Sequence, residues 1–159
     1  MYAIYETEAF ILESSGRREA DRIFSLYTEE FGMIRASAIA VRKMQSKLRS
    51  HLTDFSLVSV SLVRGKETWR ITSARRVIDA PRHLIQPLLL IKRLVHGEMA
   101  QPKLFSLLRD SYEKKMPETF TVINILKELG YVDRNVSHDH TTKKDAVAII
   151  NKAIHESQL

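Results

Sequence analysis

Cysteine is absent from all 159 residues. Its absence excludes thiolate zinc sites, cysteine nucleophiles, Cys-ligated iron–sulfur clusters and a disulfide-stapled scaffold. Glycine is sparse, and its five copies (Gly16, Gly32, Gly65, Gly97, Gly130) are scattered. That spacing builds neither a P-loop nor a dinucleotide-binding fingerprint. No G-x-S-x-G elbow and no H-E-x-x-H helix occurs. Long apolar runs are missing too. The densest, Leu88 to Val95, is broken by Lys92 and Arg93, so no membrane span is expected. The first residues place Glu6 where a secretory leader needs positive charge, and the cytoplasm is the expected compartment.

What remains is 44% hydrophobic and 28% charged, the composition of a globular protein rather than a disordered chain. The length suits one ordinary domain or two small ones. The formal net charge is +6 and the sequence pI about 9.7, so polyanions are the first partners to consider.

The first half reads as β structure. Short apolar runs at 8–13, 22–28 and 33–40 are separated by the turn signals Ser14-Ser15-Gly16 and Phe31-Gly32. Residues 55–64 alternate, with Val58, Val60 and Leu62 on one face and Ser59 and Ser61 on the other. Arg64-Gly65 begins a turn into a fifth strand, 68–78. The longer connection, 41–54, has room for a helical turn at 45–51. Five strands with one extended link match a Greek-key barrel, most commonly the oligonucleotide/oligosaccharide-binding (OB) barrel.

After Pro81 the period becomes helical. Leu84, Leu88, Ile91 and Val95 form one stripe within 84–99. Pro102 and Pro117 suit the first turns of two further helices. Leu104, Leu108 and Tyr112 line the first, and Val122, Leu126 and Leu129 the second, with Gly130 as C-cap. Thr141 or Thr142 would cap a last helix that turns Ala146, Val147, Ile150 and Ile154 inward. The expected class is α+β: a barrel over 1–80, then a helical domain of about four helices over 81–159.

Charge is even between the halves, at +3 each, but uneven locally. No acid lies between Phe31 and Thr53, where Arg35, Arg42, Lys43, Lys47, Arg49 and His51 fall. From Arg64 to Arg76 only Glu67 opposes Arg64, Lys66, Arg70, Arg75 and Arg76. In an OB barrel the third strand, the link after it and the fourth–fifth hairpin lie near the nucleic-acid face. Phosphate binding needs such cations without neighbouring carboxylates. The candidate DNA-binding residues are Arg35, Arg42, Lys43, Lys47, Arg49, Arg64, Lys66 and Arg70. The competing reading is a solvated basic surface. Tyr27, Phe31, Phe55 and Trp69 are the aromatic candidates for base stacking, with Trp69 and Phe55 placed in the core rather than on a platform. Arg22 is left out, because Asp21 beside it offers an ion pair that would fix the turn.

The ordered set of short segments resembles the N-terminal domain of the RecO family of recombination mediators. Glu8-Ala9-Phe10-Ile11-Leu12 resembles its first strand, and Glu19-Ala20-Asp21-Arg22 its E-x-D-R/K segment. Thr28-Glu29-Glu30-Phe31-Gly32 is similar to its T-x-E-x-G turn. Ala38 to Lys43 and Ser46-Lys47-Leu48-Arg49 resemble its basic link, before Leu52, Phe55-Ser56 and Arg64-Gly65. The resemblance implies an OB barrel on a helical domain. It implies binding of single- and double-stranded DNA, strand annealing, and recombinase loading with RecR and single-strand-binding protein. It also implies departures. The family carries Gly where Ala40 stands, and Ala disfavours φ > 0, so a different turn is expected there. Only Leu126 to Tyr131 resembles the family's leucine-rich segment, the helical part looks shortened, and the family's four-cysteine zinc site has no counterpart.

His138-Asp139-His140, with Asp133 nearby, is the one metal-like cluster, and a solvated polar loop is the preferred reading. Glu19/Asp21 and Glu29/Glu30 read as structural carboxylates. No catalytic residue, metal or cofactor is expected, and no enzyme. The alternative function is an adaptor that docks acidic tails of partner proteins.

Overall fold

The structure is a computed structural model that describes residues 2–135 and 143–156. The His138-Asp139-His140 cluster and the Thr141/Thr142 cap lie outside the described residues. Five strands come first: β1 Ile4–Gly16, β2 Arg22–Thr28, β3 Gly32–Ala38, β4 Leu57–Arg64 and β5 Trp69–Ile78. A 3₁₀ turn, Arg82–Leu84, leads into α1 Ile85–Leu94; α2 Pro102–Glu113, α3 Glu118–Glu128 and α4 Lys143–Glu156 follow. This is the expected α+β order. The chain forms two compact units, residues 1–102 and 103–159. Strand gives way to helix at 79–81, whereas α1 belongs to the barrel's unit.

The strands close a barrel in the order β1-β2-β3-β5-β4, with β3 and β5 parallel and the other pairs antiparallel. That is OB connectivity. Closure leaves no sheet edge open for association. β1 is longer than its apolar run, 8–13, because it serves two partners. Residues 4–10 pair with β4 and residues 9–16 with β2, across a register shift between Ile11 and Glu13. Glu6 and Glu8 hide the strand from an apolarity count because their side chains sit on the solvent face.

Alternation places Ala9, Ile11, Phe24, Leu26, Ile34, Ala36, Val58, Val60, Leu62, Trp69 and Ile71 in one interior cluster. Phe10, Leu12, Tyr27 and Leu57 have the opposite parity yet are also fully buried. The helix α1 packs against β1 and buries Leu88 and Ile91, beside Leu84 from the 3₁₀ turn. Lys92 pairs with Glu13 at 2.8 Å on the same side. α1 ends at Leu94, earlier than the expected 99, because Val95 is extended and Gly97 has φ +83°. The segment after it returns to the barrel: the Met33 N–H donates to the Gly97 carbonyl, and the Tyr27 hydroxyl to that of Gln101. Burial raises the pKa of the Tyr27 hydroxyl.

The T-x-E-x-G turn has a physical account. Thr28 Oγ1 donates to the Gly32 carbonyl at 2.9 Å and accepts from the Phe31 N–H at 3.0 Å. Gly32 has φ +67°, and a Cβ there would collide with the Met99 backbone. Both facts demand glycine.

In the second unit α3 and α4 pack together. α3 closes with a Schellman motif: the Gly130 N–H reaches the Lys127 carbonyl and the Tyr131 N–H the Leu126 carbonyl, with Gly130 at φ +83°. Leu104, Leu108 and Tyr112 are buried as expected, and burial raises the Tyr112 pKa. Two stripes are rotated from expectation. α3 buries Thr121, Ile123, Ile125 and Leu126, while Val122 and Leu129 are only half-buried. α4 buries Ala146 and Ala153 and exposes Val147. Thr121 is tolerated inside because its hydroxyl donates to the Pro117 carbonyl at 3.1 Å.

Candidate nucleic-acid interface

The link from β3 to β4 is a chain of tight turns rather than a helix. N–H groups of Lys43, Ser46, Arg49 and His51 each bond a carbonyl three residues back, and only Leu52 reaches four back, to Leu48. Short turns suit this stretch because Lys43, Ser46 and Lys47 gain nothing from burial, while Val41 and Leu52 insert into the barrel core and pin both ends. The link is further tied to the turn between β1 and β2. Asp21 Oδ1 accepts the Ala40 N–H at 2.8 Å, and the Arg42 N–H donates to the Ala20 carbonyl at 3.1 Å. Ala40 takes φ +54°. This left-handed conformation costs an alanine about 1 kcal/mol, and the Asp21 hydrogen bond offsets that cost.

The C-terminal end of β3 gathers the basic elements. Ala38 pairs with Arg22 on β2, while Ala36 and Ser37 pair with Trp69 and Arg70 on β5. Two clefts flank this end. A pocket of about 320 Å³ is lined by Arg22, Arg42, Arg49, Phe24, Val41 and Leu52. A wider groove of about 630 Å³ runs along the β4–β5 hairpin, where Arg17, Arg64, Lys66, Arg70 and Tyr2 contribute, with Glu67 as its one carboxylate. Gly16 abuts the Arg42 guanidinium, and Arg17, the next residue, enters the groove. The β1–β2 turn therefore stands between the two clefts.

Five of the eight expected residues enter these clefts: Arg42 and Arg49 the pocket, and Arg64, Lys66 and Arg70 the groove. Arg35 is exposed on β3, two residues from Ser37. Lys43 and Lys47 are exposed on the link and line neither cleft. Among the described residues, Arg35, Arg42, Lys43, Lys47, Arg49, Lys66 and Arg70 make no ion pair.

Arg64 is different. Its Nη1 lies 2.6 Å from Glu98 Oε2, and its guanidinium stands 4.8 Å from the centre of the Trp69 ring. The local sequence is poor in acid, but folding returns Glu98 from beyond α1. Arg22 lacks its expected partner. No ion pair joins it to Asp21, whose carboxylate bonds Ala40 instead. Arg22 continues the inward row of Phe24 and Leu26 to the barrel mouth, and strand alternation alone would have placed it there.

The stacking candidates are mostly enclosed. Tyr27 is fully buried and Trp69 is 3% exposed. Trp69 packs with Tyr5 and Phe31 at centroid distances of 5.5 and 4.8 Å. Phe55 is half-buried in a turn at φ +64°, before β4 rather than within it. The exposed aromatic of the groove is Tyr2, 77% accessible. It is absent from the stacking candidates because it precedes the first apolar run.

The described structure is thus a closed OB-type barrel whose clefts carry more cations than carboxylates. Residues 1–78 match the model of the family described as recombination protein O N terminal. Similar proteins bear the name DNA repair protein RecO. One from Dehalococcoides mccartyi is 41% identical over 73 residues, covering 46% of this chain and 29% of that protein. Another from that species is 33% identical over 144 residues, covering 80% of this chain and 56% of the relative. One from Cutibacterium acnes is 40% identical over 62 residues, covering 39% of this chain and 25% of that protein. The barrel of this chain, residues 1–78, matches the N-terminal domain of the RecO family. It spans little more than half the length of the curated relatives it matches most extensively. No described helix is long and apolar enough to cross a membrane.

Proposed function

We propose that this protein acts in DNA repair and recombination by binding single- and double-stranded DNA through phosphate contacts on the barrel, promoting strand annealing and recombinase loading. The observation that carries this reading is the set of seven cations, Arg35, Arg42, Lys43, Lys47, Arg49, Lys66 and Arg70, on β3, the link after it and the β4–β5 hairpin, none of which pairs with a carboxylate among the described residues. Cations of this kind hold the backbone without reading sequence. They also screen the repulsion between two strands while leaving base edges free to pair. Tyr2 offers a stacking surface beside the phosphates. The family matches support the same role. RecR and single-strand-binding protein are its protein partners in this reading, and no catalytic residue, metal or cofactor takes part.

The test is binding of an oligonucleotide over a range of salt. With about five phosphates neutralised, log K falls against log salt with a slope of roughly −3.5 on single strands. A slope near zero defeats the proposal. The adaptor reading predicts capture of an acidic peptide with no DNA shift at low salt, and the two assays run side by side separate them.

A further inference from the structure

The groove along the β4–β5 hairpin is an open channel suited to a passing strand. The pocket beneath the link has another character. Its floor is Phe24, Val41 and Leu52, all part of the barrel core, and its polar lining consists of three guanidiniums, Arg22, Arg42 and Arg49. The Nε of Arg22 is buried and meets no acceptor. A charged donor without a partner is costly, and an acceptor held in the pocket would remove that cost. The carboxylates nearest in sequence do not fill this role. Asp21 is engaged by the Ala40 N–H, and Glu19 meets Arg42 only through its backbone carbonyl, 3.3 Å from Nη1.

We propose that this pocket binds the terminal phosphomonoester of a DNA strand. The assignment rests on the DNA-binding reading above and deepens it. Three positive charges face one small volume. An internal phosphodiester brings a single negative charge, whereas a phosphomonoester brings about −1.5 to −2 and three acceptor oxygens. Guanidinium groups match such oxygens with paired, parallel hydrogen bonds. The apolar floor suits the sugar of the last nucleotide. A space of about 320 Å³ holds a phosphate with its sugar. The half-buried Arg22 is fixed by β2 pairing on both sides, to Gly16 and Ala38, and Arg42 is held by Glu19 and Ala20, so two of the three donors are preorganised.

The experiment measures binding of the full chain to one single-strand sequence with a 5′-phosphate, a 3′-phosphate, or hydroxyls at both ends. A phosphorylated end should bind about tenfold more tightly than the hydroxyl-ended strand, the increment expected of one additional charge-assisted hydrogen bond. Arg22→Gln and, independently, the exposed Arg49→Gln should bring the ratio of phosphorylated-end to hydroxyl-end affinity to about one, with any loss of general binding falling equally on all three strands. The second variant keeps the test valid where loss of Arg22 loosens the barrel. Equal affinity for all three strands, with DNA binding intact, overturns the pocket assignment alone. Absence of binding to every strand at low salt overturns the DNA reading as well. Competition separates a strand end from free phosphate: inorganic phosphate that abolishes the preference at concentrations matching the oligonucleotide's rejects the strand-end assignment.

Discussion

The two clefts beside β3 are made from similar residues and differ in how their charges are held. In the pocket, Arg22, Arg42 and Arg49 meet no acid among the described residues, and a buried Nε stays unpartnered. In the groove, Arg64 is taken up by Glu98 and the face of Trp69, while Lys66 and Arg70 remain without ion pairs. Most cations of both clefts come from acid-poor segments, yet acid-poverty along the chain does not guarantee acid-poverty in space. The pocket keeps its charges unopposed because the link doubles back on the β1–β2 turn, where the nearest carboxylate is consumed by a backbone N–H. The groove loses one because the chain returns from α1 with Glu98.

The strongest way to break this comparison is to strip one side. Replacing Arg42, Lys43, Lys47 and Arg49 with Ala should lower the magnitude of the salt slope on single-stranded DNA by roughly 2.8, at ~0.7 per phosphate lost. Replacing Lys66 and Arg70 should lower it by roughly 0.7, because together they supply the one remaining contact of the five. Titrations at several salt concentrations read both, and equal effects would erase the distinction between the clefts. Asp21→Ala should cost about 1–2 kcal/mol of stability by orphaning the Ala40 N–H. Denaturant unfolding measures that cost, and DNA titration should show the link weakened while the groove is untouched. Glu98→Gln should act in the opposite direction, steepening the slope by about 0.7 as Arg64 becomes free for phosphate. Its effect on stability should stay within about 1 kcal/mol, because the pair is exposed. The smallest effect belongs to Ala40→Gly, which relieves the left-handed strain at φ +54°. A rise of about 0.5–1 kcal/mol is expected by thermal or chemical denaturation, with DNA affinity unchanged.

Much of the barrel is visible in alternation. Val58, Val60 and Leu62 point inward, and the hairpin turn stands at Arg64-Gly65. The length of β1 is hidden, because its first half carries Glu6 and Glu8 on the solvent face and is recognisable as strand only through its pairing with β4. The helical stripes of α1 and α2 are legible from spacing, whereas those of α3 and α4 are rotated by buried small or hydroxyl residues such as Thr121 and Ala153. At the clefts, the basic segments are plain in the sequence. Arg22 is concealed by an acidic neighbour that serves the Ala40 backbone instead.

By itself the amino-acid sequence determined the α+β order, the five-stranded barrel, its apolar interior and the placement of most cations, since strand and helix periods and local charge are properties of neighbouring residues. Only the tertiary structure decided which cations share a cleft, which carboxylates reach them and which donor is left buried without an acceptor. Those outcomes depend on strand register and chain return over tens of residues, where Coulomb energies follow distance in space and not position along the chain.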